Sequence, residues 1–238
     1  SFEDRTRDLG TAAEQAQILV SKDWAAERAT EVEDPRASVT RGGRPNGRGV
    51  PGVHEPAHTT HLSVADREGG LVALTQSLGP SLGSKVAAPG LGFLYAATMG
   101  YLGALAPGAR PFSSQSPLIV LNDGQPAYVL GGAGARRIIS AIVEVVSRVV
   151  DEELSLADAV ALPRFHPTPT KIYMEGRRAA TWSAADLAEL MSVGFTPEAR
   201  ESAAYFATIH GIEFVFATRD YIGVADPRWH GSARGPRH

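Results

Sequence analysis

The chain has 238 residues, of which 43% are hydrophobic and 21% charged, and its formal net charge is −3. These proportions are typical of a globular protein, and the slightly negative charge excludes a general basic surface for nucleic acid or an anionic membrane. The chain has no cysteine, which excludes a disulfide framework, a thiol nucleophile and a cysteine zinc site.

The first third of the chain contains three segments of different composition. Residues 11–29 predict a helix, although their apolar stripe is irregular. Residues 31–58 carry many glycines and prolines and no apolar periodicity, so we expect an exposed, mobile segment. After it, strand-like runs at 59–66 and 71–78 flank the turn residues 67–70, which predicts a hairpin.

A second hairpin is predicted near the middle of the chain. Residues 79–92 are rich in Gly, Pro and Ala and should lack regular structure. Strands at 117–121 and 126–130 are then joined by Asn-Asp-Gly-Gln at 122–125, which is typical of a hairpin turn. The glycine-rich stretch 131–134 follows as a turn before a helix.

The C-terminal half predicts helices followed by strands. We expect a long apolar helix over 136–152 and a shorter one that begins at Ser155 and ends before Pro163. A strand at 171–175, a helix with a capping box between Ser183 and Gly194, and a hairpin of 204–209 with 212–217 complete the prediction. Strands and helices do not alternate strictly, so the order favours an antiparallel sheet covered by helices, an α+β fold.

Three histidines lie close together in the sequence. His54, His58 and His61 could hold a metal ion from a turn, but no carboxylate motif accompanies them, so a structural role is favoured.

Two small polar motifs leave two interpretations open. The stretch 131–134 lies before a helix N-terminus, where free backbone N–H groups could stabilise an oxyanion, or it is a packing turn. Ser113 and Ser114 lie between prolines ahead of a strand, where a solvated turn is the ordinary interpretation.

Thr59 stands where the Gly/Pro-rich segment meets a core strand. A bond at this place is open to cleavage, and a cut would give Thr59 a free α-amino group beside its hydroxyl. That pair is the minimal nucleophile and base of an N-terminal threonine hydrolase.

Several motifs together resemble the γ-glutamyltransferase (γ-glutamyltranspeptidase) family of N-terminal nucleophile hydrolases. They occur in the family's order and at similar spacing: TTHLSVAD at 59–66, RPFSSQSP at 110–117, GGAGARRII at 131–139, LPRFH at 162–166 and ADPR at 225–228. The resemblance covers residues 59–230, and 19–32 look like the last helix of the family's large subunit.

The resemblance implies an αββα sandwich and a precursor that cuts itself before a threonine. It places the end of the large subunit in residues 1–58 and the small, catalytic subunit in 59–238. The implied partner is the large subunit of the same precursor, in a heterodimer, and the implied substrate is a small-molecule amide. We expect no metal and no organic cofactor, no nucleic-acid or membrane partner, and no signal peptide within the chain, which leaves the compartment open between periplasmic or secreted and cytoplasmic.

Six residues take roles from the resemblance. Thr59 falls on the nucleophile, and Ser77 on a second hydroxyl that bonds the free α-amino group. Ser113 and Ser114 match the pair that holds the donor's α-carboxylate. Gly134 and Ala135 match two glycines whose N–H groups form the oxyanion hole, with Ala135 acceptable there at a negative φ.

Two departures from the family concern the donor's head group. Gly79 stands in place of an Asn, and Tyr101 in place of the Asp that pairs with the donor's α-ammonium. The nucleophile and the oxyanion hole remain, so the resemblance predicts cleavage of γ-glutamyl or related amides through an acyl-enzyme. Two alternatives stay open: an acylase for a non-γ-glutamyl dicarboxylic monoamide, and an inactive family member that serves binding or assembly.

Overall fold

The computed structural model describes residues 17–18, 20–32, 59–98, 113–168, 171–176 and 182–235. The chain divides into two compact units. The first unit comprises residues 1–53, 167–173 and 182–198, and the second comprises residues 54–166, 174–181 and 199–238.

The described residues contain four α-helices and nine strands. In chain order they are α1 (Lys22–Val32), β1 (Thr59–Ala65), β2 (Leu71–Ser77), β3 (Leu118–Asn122), β4 (Gln125–Ala133), α2 (Arg137–Val150), α3 (Leu156–Ala161), β5 (Phe165–Pro167), β6 (Lys171–Glu175), α4 (Ala184–Ser192), β7 (Thr196–Arg200), β8 (Thr208–Val215) and β9 (Asp220–Val224). A short 3-10 helix, Ala203–Tyr205, precedes β8. None of the helices in these ranges has the length and apolar character that crossing a bilayer requires.

The predicted first hairpin is confirmed. β1 and β2 pair antiparallel, with Thr59 opposite Ser77 and Ala65 opposite Leu71. The backbone N–H of Gly70 donates to Asp66 Oδ1 at 2.6 Å, which closes the turn. Odd-numbered residues of both strands face inward and even-numbered residues face outward, as the side-chain period of a strand requires.

The second hairpin belongs to a four-stranded antiparallel sheet in the order β3-β4-β8-β9. Its turn is shorter than predicted, because Asn122 already pairs with Gln125. Asp123 and Gly124 both have positive φ, at 48° and 76°. Two such residues form the type I′ turn that suits the twist of a two-residue hairpin.

The predicted helix 136–152 is α2, and it covers one face of this sheet. The residues that it buries are spaced for a single face: Ile138, Ala141, Ile142, Val145 and Val149. They form the main hydrophobic cluster with Leu130 and Ile209 of the sheet and with Leu156, Ala159 and Val160 of α3.

The opposite face of the four-stranded sheet packs against β1 and β2. Successive residues of β4 show this alternation: Leu130 belongs to the helix-side cluster, whereas Gly131 lies against His61 of β1. The second unit therefore has two β layers and a helical layer. This confirms the α+β class and supplies the ββα part of the expected sandwich.

The predicted hairpin of 204–209 with 212–217 is wrong. Gly211 does not turn the chain but lies within β8, where a Cβ would come 2.8 Å from Val129 O. The turn comes later, where the Arg219 N–H donates to Val215 O at 2.8 Å and leads into β9. The glycine therefore serves a close approach between strands rather than a turn.

The glycines at 131 and 132 are a second correction. They extend β4 to Ala133 instead of forming a turn, so the chain leaves the sheet only at Gly134. Residues 79–92 lack regular strands and helices, as expected, apart from a bridge between Ala87 and Leu94.

The remaining helix and strand predictions are confirmed in type, with shifted ends. Ser155 caps α3 by accepting the Asp158 N–H, and β6 occupies the predicted 171–175. The N-terminal helix is seen as α1, which continues to Val32, whereas residues 11–16 lie outside the described ranges. Of the predicted exposed segment 31–58, residues 31 and 32 belong to α1, and residues 33–58 lie outside the described ranges.

In the first unit, local capping fixes α4. The Ser183 hydroxyl accepts the Asp186 N–H, and the Asp186 carboxylate accepts the Ser183 N–H, which is the predicted capping box. An exposed ion pair joins Lys171 to Glu198 at 2.7 Å.

Candidate active site

Thr59, the predicted nucleophile, begins β1 and is half-buried. Its hydroxyl donates to Ser77 Oγ at 2.9 Å across the hairpin. Ser77 Oγ also accepts the Gly79 N–H at 3.0 Å. The structure thus brings together Thr59 and Ser77, which are 18 residues apart, and it orients the Ser77 hydroxyl through the backbone of Gly79.

Side-chain contacts between the facing strands β1 and β4 indicate which end of β4 lies nearer to Thr59. His61 lies against Gly131, and the Ser63 hydroxyl donates to Val129 O at 3.3 Å. Two residues forward along β1 therefore correspond to two residues backward along β4. Continued by two more residues, this spacing predicts that Thr59 lies near Ala133, where β4 ends and the turn of Gly134 and Ala135 begins.

Gly134 and Ala135 form a turn between β4 and α2. The first helical N–H groups, of Arg137 and Ile138, donate to Gly134 O and Ala135 O at 3.2 Å each. The N–H groups of Gly134 and Ala135 therefore lie beyond the last residue of β4 and ahead of the helical ladder, at the positive end of the α2 dipole. Such N–H groups can stabilise a developing negative charge.

The backbone at Ala135 differs from the expectation of a negative φ. Its φ is +54°, in the left-handed region that favours glycine. Gly134 has φ +146°, and a Cβ there would come 2.6 Å from Ala207 Cα, so only glycine fits. Ala135 therefore holds a strained conformation, and such conformations are concentrated in functional turns.

Ser113 and Ser114 lie just before β3 and make local hydrogen bonds. Ser113 Oγ accepts the Gln115 N–H at 3.0 Å, and the Ser116 hydroxyl donates to Ser114 O at 3.2 Å. Ser113 is exposed and Ser114 half-buried. Tyr101, which the sequence placed near the donor's head group, lies outside the described residues.

His61 has hydroxyl partners on both ring nitrogens. Its Nδ1 lies 2.8 Å from Thr75 Oγ1, and its Nε2 lies 3.0 Å from Ser63 Oγ. His54 and His58 are outside the described residues, and within the described ranges no three His, Asp or Glu side chains are grouped as metal ligands. Burial, with a smaller contribution from His210, lowers the pKa of His61 to about 4, so its imidazole is neutral at pH 7.

Sequence reasoning missed a buried ion network that joins two of the family motifs. Arg164 of LPRFH pairs with Asp226 of ADPR at 2.7 Å, and both side chains are fully buried. Arg228 bridges Asp226 at 3.2 Å and Glu175 at 2.7 Å. Arg164 also donates to Ala207 O, next to Gly134. Charged residues inside apolar runs were the signal that could have indicated this network.

A buried carboxyl, Glu144, lies near this network, and a half-buried histidine, His166, lies against α2. Burial raises the pKa of Glu144 to about 7, against the opposing effects of the Phe165 N–H and of nearby arginines. Burial and the charge of Arg137 lower the pKa of His166 to about 4. His166 Nδ1 lies 2.8 Å from the Ser140 hydroxyl on α2.

Comparison with known sequences agrees with the motif pattern. A family model described as Gamma-glutamyltranspeptidase matches residues 1–235. The chain is 33% identical over 167 residues to a glutathione hydrolase proenzyme of Escherichia coli strain K12, which covers 63% of this chain and 28% of the relative. It is also 33% identical over 174 residues to the acylase ACY 1 proenzyme of Pseudomonas sp. strain SE83, and this match covers 69% of this chain and 30% of that relative. The chain thus spans about a third or less of the length of these relatives.

Solved structures share the fold. The γ-glutamyltranspeptidase of Pseudomonas nitroreducens complexed with L-DON is 30% identical, with a TM-score of 0.62, over 75% of this chain and 100% of that chain. A cephalosporin acylase from Bacillus halodurans superposes with a TM-score of 0.68 over 91% of this chain and 40% of that chain, at 22% identity. These neighbours confirm the predicted fold class.

Proposed function

The chain belongs to the γ-glutamyltranspeptidase family, and on this basis we propose that it is the catalytic part of an N-terminal threonine amidohydrolase or acyltransferase. The observation that carries the proposal is the hydrogen bond from the Thr59 hydroxyl to Ser77 Oγ. From the spacing that places His61 on Gly131, we infer that this bond lies at the end of β1 nearest the turn of Gly134 and Ala135. In this proposal a hydroxyl nucleophile, a second hydroxyl and a candidate oxyanion hole meet at one place.

The first step of the proposed activity is self-cleavage between His58 and Thr59. The Thr59 Oγ attacks the carbonyl carbon of His58, and the peptide C–N bond breaks as the ester C–O bond forms. Water then hydrolyses this ester, which restores the Thr59 hydroxyl and leaves a free α-amino group on Thr59. The cut separates residues 1–58 from the catalytic subunit 59–238.

In turnover, the free α-amino group of Thr59 acts as the general base. It takes the hydroxyl proton as Oγ attacks the amide carbonyl of the donor, and it returns the proton to the departing amine. The N–H groups of Gly134 and Ala135 stabilise the oxyanion of the tetrahedral intermediate. Water or an acceptor amine then releases the acyl group from Thr59.

The partner in this proposal is the large subunit of the same precursor. The chain spans only 28% to 30% of two of the proenzymes it resembles, so most of such a precursor lies outside it. The outward face of the β1–β2 hairpin supports the proposal, because it exposes four aliphatic side chains: Leu62, Val64, Val72 and Leu74. A contiguous apolar patch of this kind marks a protein interface.

A second candidate concerns the donor. Gly79 offers only its backbone, and its N–H is already used by Ser77 Oγ, where an Asn side chain could contact an amino-acid head group. The likeness to an acylase proenzyme points the same way. A dicarboxylic monoamide donor without an α-amine, such as a glutaryl amide, is therefore the alternative to a γ-glutamyl donor.

The test is acyl-enzyme trapping on the complete, processed precursor. γ-Glutamyl-p-nitroanilide and glutaryl-p-nitroanilide are each mixed with the enzyme, quenched in acid, and the N-terminal peptide of the small subunit is weighed by mass spectrometry. We expect one acyl group on Thr59 with at least one donor, and the same result in the control variant Thr60→Ala, whose parent side chain is exposed.

The outcomes separate the candidates. The rate of p-nitroaniline release gives kcat/KM for each donor. A ratio of about a hundredfold or more in favour of the γ-glutamyl donor excludes the glutaryl alternative. Acylation at a residue other than Thr59 contradicts the proposed function. Absence of acylation by either donor in a correctly cleaved enzyme contradicts both donor assignments.

A further inference from the structure

The inward face of the β1–β2 hairpin carries polar side chains where a layer between two sheets normally has apolar ones. On β1 these are Thr59, His61 and Ser63, and on β2 they are Thr75 and Ser77. His61 lies at the centre of this set, two residues from Thr59, and only 8% of its surface is exposed. Neither the proposed self-cleavage nor the turnover uses it.

The hydrogen bonds of His61 indicate its tautomer. The Ser63 hydroxyl can donate its single proton to Val129 O at 3.3 Å, which leaves Ser63 Oγ to accept from the ring. This arrangement favours a proton on His61 Nε2, with Nδ1 accepting from the Thr75 hydroxyl. The neutral ring is thus fully satisfied and connects β1, β2 and, through Ser63, the backbone of β4.

Gly131 makes room for this ring. A Cβ at Gly131 would lie 2.4 Å from His61 Cε1 and 2.5 Å from Nδ1, closer than nonbonded atoms approach. The φ of Gly131 is outside the left-handed region, so its backbone conformation does not require glycine. The close approach of the imidazole is what requires it. The first glycine of the 131–134 motif therefore receives His61, while the motif's end forms the candidate oxyanion turn.

The geometry points to His61 as a positioning residue. Seated on Gly131, it sets the spacing and register between β1 and β4, and through them the place of the Thr59 hydroxyl relative to Gly134 and Ala135. This inference rests on the proposed function. A displacement of His61 moves a strand whose first residue is Thr59, only two positions away. A misplacement of about 1 Å at a reacting group can cost about 10²-fold in rate.

The experiment compares Gly131→Ala with Gly235→Ala in the complete precursor. A Cβ at Gly235 meets nothing within 4 Å, and its φ is not positive, so this variant is a matched control. We expect Gly131→Ala to slow self-cleavage and to lower kcat about a hundredfold, with KM changed less than about threefold. Gly235→Ala should match the wild type.

Two further measurements keep the inference testable if Gly131→Ala folds poorly. His61→Gln can keep one donor and one acceptor, whereas His61→Phe keeps only the ring, so kcat should fall further in the Phe variant. In enzyme labelled with ¹⁵N-histidine, the ring of His61 should be the Nε2–H tautomer at neutral pH. That readout does not depend on activity.

The opposing results are equally specific. An active wild type together with a fully active Gly131→Ala variant contradicts the positioning role alone. Equal kcat in His61→Gln and His61→Phe also contradicts it, and an Nδ1–H tautomer contradicts the hydrogen bonds assigned to the ring. A wild-type precursor that neither cuts itself nor turns over an amide contradicts the proposed function, and with it the positioning role.

Discussion

In the second unit, each of the two β layers has one face that points away from the other layer. Both faces carry aliphatic residues, but helices cover this face of the four-stranded sheet, whereas the outward face of the β1–β2 hairpin is exposed. On the helix side, α2 and α3 bury Leu130 of the sheet completely, together with Val145 of α2. On the hairpin side, Leu62 and Leu74 pair across β1 and β2 and remain 39% and 44% exposed. The helix side is a finished core, whereas the hairpin side is an apolar surface without a cover among the described residues of this unit.

The difference shows which face of the two-sheet core is already packed within the second unit. The helix side holds the buried ion network and the hydrophobic cluster, so it stabilises the sheet that carries the oxyanion turn. The hairpin side carries Thr59 on a two-stranded ribbon whose inner face packs on the four-stranded sheet. A ribbon of two strands is marginally stable by itself. In our proposal the large subunit covers the outer face of this element, which carries the nucleophile.

The largest expected effect lies in the buried network on the helix side. Arg164→Ala removes the partner of Asp226 and leaves a fully buried carboxylate without its closest cation. Loss of one partner of a buried pair costs about 3–5 kcal/mol. Lys171→Ala, which breaks the exposed pair with Glu198, should cost about 0–1 kcal/mol. Urea denaturation of the complete precursor measures both variants, and equal costs would show that the buried pair is not a main support of the helix side.

A smaller effect compares the two faces directly. Leu130→Ala on the helix side should cost about 2–5 kcal/mol. Leu74→Ala on the hairpin side should cost at least about 2 kcal/mol in the complete precursor, because we propose that the large subunit buries this face. A cost for Leu74→Ala within about 0.5 kcal/mol of zero, as for an open surface site, would remove the proposed cover.

The pH dependence of stability distinguishes Glu144 from the histidines. The pKa of Glu144 rises from 4.5 to about 7 in the folded protein, so its contribution to stability is full below pH 4.5 and is lost as the pH rises through 7. Glu144→Gln should therefore raise the Tm at pH 8 relative to the wild type more than at pH 5, measured by scanning calorimetry.

The effect of pH on stability through His61 and His166 has the opposite direction. Their folded pKa values of about 4 lie below the ordinary 6.5, so their contribution is full above pH 6.5 and is lost as the pH falls toward 4. If Glu144→Gln raised the Tm by the same amount at pH 5 and at pH 8, the result would contradict the raised pKa of Glu144.

The smallest expected effect concerns the turn after β4. Ala135→Gly removes a methyl group from a residue at φ +54°, so it should stabilise the protein by about 1 kcal/mol. The change would appear as a higher midpoint of urea denaturation. Equal or lower stability would indicate that packing of the Ala135 methyl group offsets its backbone strain.

Local chemistry made much of the fold predictable. The hairpin turn at Asp123 and Gly124 and the capping box of Ser183 and Asp186 depend on neighbours in sequence, and both form, although the turn is shorter than predicted. The structure joins the hydroxyls of Thr59 and Ser77, whereas the bond from Ser77 to a free α-amino group, which the resemblance implies, stays a prediction.

The predictions that were wrong depend on contacts between parts of the chain that are distant in sequence. The sequence predicts turns at Gly131 and Gly211, yet glycine is required at each because another strand or ring comes close. The short strands β5, β7 and β9 were not predicted, because their apolar patterns are too brief to stand out. The acidic partners of Arg164, which are Glu175 and Asp226, lie 11 or more residues away along the chain, so its burial could not be inferred from local sequence.

The most direct test of the account is the mass of the purified complete precursor and its Thr59 variants. We predict that the wild type yields a subunit whose first residue is Thr59, that Thr59→Ser is also cut, at a lower rate, and that Thr59→Ala stays uncut. Cleavage of Thr59→Ala at the same bond would contradict the account, because the hydroxyl that we assign as the nucleophile would then be dispensable.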